Sequence, residues 1–396
     1  MLVSDYLFDT YGIDASHPYW HIYENWIGAE FGTTIKRLGL KSLKIQESLW
    51  LVGDKNFMLD ASYLEILDTV FFSETLPLVE YNKQVTSVDY TASGVVVNCM
   101  DGSTYTADKV LITVPLPILK ENSIAFTPAL PASKTAAIEN IGMGTGMKIL
   151  LKFSETFWNE DALWFTYYNY AQSGWAPGLP KTYGTNNVIT CFIMGEKAEY
   201  LSALGEGALD VVLAELDLFY DGAATEKFVE SKIIDWIKEP FVKGVYSYPT
   251  PGTFESEYVS KRLDLAEPVD CKVFFAGEAT SNNHPATVHG ALESGARAAA
   301  EIIECFSTPI QDVIADANIS MYATNGIAYF NINTQTIATA KLALYNTEGK
   351  RIQQFYFDKI PAGENVFQFE MKYTSKGVYV LQAVINGKLY EKKIAC

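Results

Sequence analysis

The sequence is poor in the residues that build metal centres. Four histidines (His17, His21, His284, His289) and five cysteines (Cys99, Cys191, Cys271, Cys305, Cys396) are spread through 396 residues. No CxxC or HExxH occurs, and the pair His17 and His21 has no third ligand at a suitable spacing, so no metal site is expected. An odd, dispersed set of cysteines does not read as a disulfide framework. No apolar run approaches the ~20 residues needed to span a bilayer, and the opening MLVSDYLFDT lacks the basic and apolar regions of a secretory leader. Positive charge is also scarce: 30 Lys and Arg against 47 Asp and Glu leave a net charge of −17. That balance argues against nucleic acid or an anionic membrane as partner and favours the approach of cationic small molecules.

A complete nucleotide-binding fingerprint is missing as well. IGMGTGMK (141–148) imitates a glycine loop, but Met147 stands where GxGxxG requires glycine. The segment also follows a helical pattern and leads into a strand, the wrong order for that motif, so a turn is the expected structure. No GxxxxGK[ST] is present.

What is present is a globular composition, 48% hydrophobic and 13% aromatic, in a chain long enough for two or three cores. SYLEILDTVFF (62–72) reads as a helix, and the alternation in 77–115, with turn signals at Ala92–Gly94 and Asp101–Gly102, as several strands. A helix is expected over 133–140, a strand over KILLKF (148–153), two strands around Asn186–Asn187, a long helix near 205–220 and a strand over 228–237. KVFFAGEATSNNHPATVHGALESGARAAAEIIECF (272–306) has a sharper grammar: an apolar strand, a loop opened by Gly277, and a helix starting near Thr287–Val288. A helix N-terminus after a glycine-containing turn favours anionic groups. After a linker over 307–317, residues 318–396 break into short alternating runs with hairpin signals at Asn325–Gly326, Glu348–Gly349 and Asn386–Gly387, the pattern of a small β-sandwich.

The segment VFFAGEATSNNHPATVHGALESGARAAAEI closely resembles the C-terminal FAD-contacting segment of the flavin amine oxidases, the group that holds polyamine oxidases, monoamine oxidases and lysine-specific histone demethylases. Residues 107–158, DWIKEPFVKGVYSYPTPG (235–252) and NKQVTSVDY (82–90) match in the family's order, so the likeness covers roughly 45–306. It implies an α+β fold of mixed sheets and helices over 1–306, ahead of the sandwich. It also implies FAD as cofactor and oxidation of a primary or secondary amine to an imine, with oxygen consumed and hydrogen peroxide formed.

Residue by residue, the resemblance implies that Glu278 hydrogen-bonds the ribose or ribityl region, with a loop acid satisfying backbone amides as the alternative. Gly277 would allow close backbone approach, and Val288 would offer its N–H to the flavin pyrimidine edge. Val85 would contact the adenine side, with a core strand residue as the alternative, and Thr113 and Pro115 would lie where the chain crosses beside the cofactor, with a plain strand end as the alternative. Lys148 would hold a water near the reacting flavin nitrogen, with snorkelling to solvent as the alternative. Tyr246 would form one wall of an aromatic cage. Thr287 would stand at the other wall, where several relatives carry an aromatic, leaving substrate size open. Trp158 and Trp236 are expected in the core, and His289 either beside the site or in the core.

The family's N-terminal glycine motif is expected upstream of this sequence. LYNTEGKRI…GVYVLQAVINGKLYEKKI resembles the C-terminal sorting domain of proteins exported by the type IX system of Bacteroidetes. Together with the missing leader, this reads as the downstream part of a longer secreted or surface protein that engages export machinery. The rival expectations are an oxidase of the same fold acting on an amino acid or another non-amine substrate, and a non-catalytic surface protein that has lost its cofactor.

Overall fold

The computed structural model describes residues 1–50, 62–72, 75–159, 165–167, 170–171, 173–175, 187–256, 259–306, 317–324, 327–346, 351–371 and 378–395. Among the described residues, helices and mixed sheets make up the part before residue 307, and seven strands follow.

One core forms around a sheet in which the strand Gly146–Phe153 lies between the antiparallel strands Phe228–Asp235 and Val188–Met194. Strand periodicity sends Met147, Ile149, Leu151 and Phe153 to one face, where each is at most 1% exposed. The helices Glu196–Leu204 and Ala208–Phe219 cover that face with Ala198, Leu201, Val212 and Leu216. Burying one such aliphatic side chain is worth about 1.5–3 kcal/mol. Trp158 joins this core as expected, while Trp236 is half-buried on the strand's other side.

A second core positions the candidate site. It packs the sheet of Val85–Asp89, Val95–Cys99, Thr104–Ala107 and Ala125–Thr127 with the helices Leu116–Lys120 and Ala132–Asn140. It also contains a parallel pair, Val110–Ile112 beside Val273–Phe275, in register Val110↔Val273 to Ile112↔Phe275. The glycine-rich segment 141–148 is not a phosphate loop: Ile141–Met143 is a strand paired to Ser247–Pro249, and Gly144–Thr145 bends the chain into the next strand.

The last seven strands make two sheets. One contains Ala317–Thr324, Ile327–Thr334 and Gly363–Glu370; the other contains Arg351–Ile360, Ala338–Asn346, Val378–Ile385 and Lys388–Ala395. Phe330, Leu342, Leu344 and Leu381 fill the core. Asn386 and Gly387, at φ +48° and +78°, form the tight turn between Val378–Ile385 and Lys388–Ala395. The signals at Asn325–Gly326 and Glu348–Gly349 and most of the linker lie outside the described residues, and Ala317 already belongs to the first strand.

One expectation requires correction, and one helix has no counterpart in the sequence reading. Cys271 and Cys305 form a disulfide with a Cα–Cα distance of 5.6 Å. The helix Val288–Phe306 runs back along the strand that Cys271 precedes, and this return brings together cysteines 34 residues apart, which spacing alone does not reveal. The helix Glu196–Leu204 was not read from the sequence at all; it starts after Gly195, whose φ of +65° turns the chain out of the preceding strand. Among the described residues, no helix is long and apolar enough to cross a membrane.

Candidate flavin site

The carboxyl ends of the parallel pair open onto the site, where ligands of open α/β sheets bind. Ala276 N–H extends the pairing to Ile112 O at 3.0 Å. Thr113 and Pro115 therefore follow one strand end, both exposed, and Gly277 follows the other. Gly277 has φ +125°, and a side chain built on it would meet nothing within 4 Å. Its conformation is open to glycine alone, and the backbone there faces free space. Its N–H donates to Ser294 Oγ at 2.8 Å, tying the loop to the helix Val288–Phe306.

The start of that helix is built by Thr287. Its Oγ1 accepts the Gly290 N–H at 3.0 Å and donates to His284 O at 2.8 Å, an N-cap arrangement. Neither Val288 N–H nor His289 N–H donates to another group among the described residues, and both side chains are exposed. Two free N–H groups at the positive end of a 19-residue helix suit an electron-rich edge. His284 is 5% exposed; its Nδ1 is 2.7 Å from Glu293 Oε2, and its ring meets those of Trp50 and His289. His289 is thus an exposed neighbour of the helix start and not a core residue.

Glu278 turns inward. Its Oε1 accepts Ser247 N–H at 3.0 Å, and its Oε2 accepts Ser247 Oγ–H and Ala286 N–H, each at 2.7 Å. This is the arrangement of a loop acid satisfying backbone amides. Tyr246, beside Ser247, donates its hydroxyl to Ala29 O at 3.2 Å and Glu30 O at 3.0 Å, and its ring lies against Gly32. Burial raises its phenol above the usual range. The Tyr246 carbonyl accepts Gly144 N–H at 2.8 Å, which places the strand carrying Lys148 next in the chain.

Lys148 points to the sheet face opposite the Ile149 core. Its Nζ lies 5.7 Å from the Phe192 ring centroid and 5.5 Å from that of Trp236. Desolvation lowers its pKa below the ordinary lysine value. Val85 begins a strand of the neighbouring four-stranded sheet, paired to Cys99 and partly buried against the second core. The structure therefore gathers Thr113, Pro115, Gly277, Glu278, Thr287 and Val288 around one strand–loop–helix unit, with Tyr246 joined to it through Ser247. Lys148 and Val85 come from adjoining sheets.

Ser247, Arg262, Ser294 and Arg297 were not singled out in the sequence. Arg297 donates to Phe275 O at 2.7 Å, Thr280 Oγ1 at 3.1 Å and Ala266 O at 3.1 Å, fastening helix to strand. Arg297 also pairs with Glu301 at 3.1 Å, but its ties to Phe275 O and Ala266 O leave no mark in a linear pattern, because every residue carries a carbonyl.

The model of a family described as flavin containing amine oxidoreductase matches residues 78–303, more than half of the chain. Histone demethylase-like protein A of Aspergillus fumigatus is 34% identical over 255 residues, covering 59% of this chain and 23% of that protein. Polyamine oxidase 4 of Oryza sativa subsp. japonica is 35% identical over 226 residues, covering 56% and 45%. Lysine-specific histone demethylase 1 homolog 3 of Arabidopsis thaliana is 29% identical over 299 residues, covering 72% and 18%. The matched region spans less than half the length of each of these relatives.

Proposed function

The chain belongs to the flavin containing amine oxidoreductase family, and we propose that it oxidises a primary or secondary amine of polyamine type with FAD as cofactor. The observation that carries this reading is the open backbone at Gly277, in the loop that leads into a helix whose first two N–H groups, of Val288 and His289, have no partner among the described residues, all inside the matched region. These residues fit the electron-rich edge of a flavin. Gly277 allows close approach, and the N–H groups of Val288 and His289 supply donors backed by the helix dipole. Thr113 and Pro115 would border the same face, and Val85 would reach the adenine end.

Bound there, FAD supplies a two-electron acceptor for conversion of the amine to an imine, with peroxide formed on reoxidation by oxygen. The protein's own part is orientation and proton control. Tyr246, its hydroxyl tied to two carbonyls, offers a fixed wall for a cation or its neutral amine. Thr287 leaves the opposing side wide. Lys148 holds a water, and its positive charge favours the neutral form of a nearby amine, the form that can be oxidised. We place the sandwich as a sorting domain read by type IX export machinery, and the protein outside the cell; the Cys271–Cys305 disulfide supports an oxidising compartment.

The test is an amine panel with a peroxide readout on the FAD-loaded protein and its Lys148→Met variant. Polyamines are expected to react, and the variant is expected to lose about a hundredfold in rate while retaining flavin. Unchanged amine oxidation in the variant would sink the role of Lys148. Reaction with amino acids alone would favour the same-fold rival, and no peroxide with any compound a non-catalytic protein.

A further inference from the structure

Arg262 is fully buried, at 0% exposure, in the short helix Lys261–Ala266. Its guanidinium donates from Nη1 to Ser247 Oγ at 2.6 Å and Ala279 O at 3.3 Å, and from Nη2 to Gln46 Oε1 at 3.2 Å. Among the described residues it touches no carboxylate directly, and its Nε has no partner. A buried cation costs several kcal/mol unless an opposing charge is near, and the opposing charge here is Glu278. The Ser247 hydroxyl bridges the two, accepting from Arg262 and donating to Glu278 Oε2 at 2.7 Å.

The far end of the relay grips a strained residue. Ala286 has φ +62°, a left-handed conformation unfavourable for a residue with a Cβ. Its N–H is held at 2.7 Å by Glu278, a charge-assisted bond at the entry to the helix whose Val288 and His289 N–H groups have no partner among the described residues. The near end holds Ser247 by both backbone N–H and side chain, and Ser247 follows Tyr246.

We propose that Arg262 is a positioning residue: through Ser247 and Glu278 it locks the Tyr246 wall to the start of the Val288–Phe306 helix, so that the buried Arg262 and the half-buried Glu278 together fix the amine wall relative to the flavin edge. This rests on the flavin reading above, but the tie itself can be tested without cofactor. Glu278 then acts by holding its own loop and the Tyr246 strand.

The experiment is amide hydrogen exchange, read by mass spectrometry on peptides covering 244–249 and 284–290, for wild type, Ser247→Ala and Arg262→Lys. Ser247→Ala removes the bridge and leaves both charges in place. It is expected to speed exchange in 284–290 by about tenfold or more, with the global unfolding midpoint little changed. Arg262→Lys keeps the charge but not the fork and is expected to give the same local pattern. In FAD-loaded protein, Ser247→Ala is expected to lower the flavin reduction potential, because the N–H donors no longer face the reduced ring; a merely structural role leaves the potential of retained flavin unmoved. Unchanged exchange at 284–290 overturns the proposal. So does faster exchange throughout the cores with a lowered midpoint, which would make Arg262 and Ser247 simple supports of the fold. Failure of the wild type to retain flavin would count against the functional reading, while the exchange data would still decide the tie.

Discussion

Glu24 and Lys197 show how single residues carry the charge economy of the first 306 residues. Glu24 lies 9% exposed in the π-helical turn Glu24–Gly28 and accepts the Ile35 N–H at 3.3 Å. Burial lifts its pKa to about 7, against the pull of the Ile35 N–H, Lys36 and Lys197. Lys197, donating to Asn25 Oδ1 at 3.0 Å, is drawn down to about 8, also by burial. A carboxyl whose folded pKa is raised binds a proton that the unfolded chain has released. Its contribution to stability is therefore full below its unfolded value of 4.5 and is lost as pH rises through about 7. Glu24→Gln is expected to remove that loss, so urea midpoints of variant and wild type should diverge in the variant's favour between pH 5 and pH 8. Parallel curves would show that Glu24 is not titrating in this window. None of this is legible in the sequence, where Glu24 is one acid among many; only its tertiary surroundings set it apart.

At the scale of elements, the strand–loop–helix unit 272–306 is the part the sequence reveals best. Its apolar strand, Gly277 and the helix start at Val288 all fall where pattern and turn chemistry place them. The helix Ala132–Asn140 and the strand Gly146–Phe153 are legible because one face of each is buried and its periodicity survives, whereas turn signals mark the more exposed strands of 77–115, such as Thr104–Ala107. The glycines of the helix separate two roles that sequence cannot. A Cβ at Gly290 would lie 1.8 Å from His284 O, whereas one at Gly295 meets nothing within 4 Å. Gly290→Ala should therefore destabilise by about 1–3 kcal/mol and impair flavin retention. Gly295→Ala should stabilise by roughly 0.5–1 kcal/mol through helix propensity. Chemical denaturation of the two variants checks this, and equal effects would mean that the His284 carbonyl does not pack as described. Glu278 was legible as a special acid, but its hydrogen bonds to Ser247 depend on a strand 31 residues away in the chain.

Across the whole molecule, the disulfide encloses the entire strand–loop–helix unit. Cys271 precedes the strand and Cys305 lies in the last turn of the helix, with a separation of 34 residues. Closing a loop of that length restricts the unfolded chain by about 3–4 kcal/mol in the chain-entropy account. Paired Cys271→Ser and Cys305→Ser substitutions are expected to lower unfolding free energy by about that amount and to loosen flavin retention; an unchanged midpoint would show that the bridge adds nothing. The central claim is that this stapled unit holds a flavin. The most direct test is the visible absorption spectrum of the purified protein after incubation with FAD and removal of the excess. Retained flavin bands are the predicted result, and a colourless protein would contradict it.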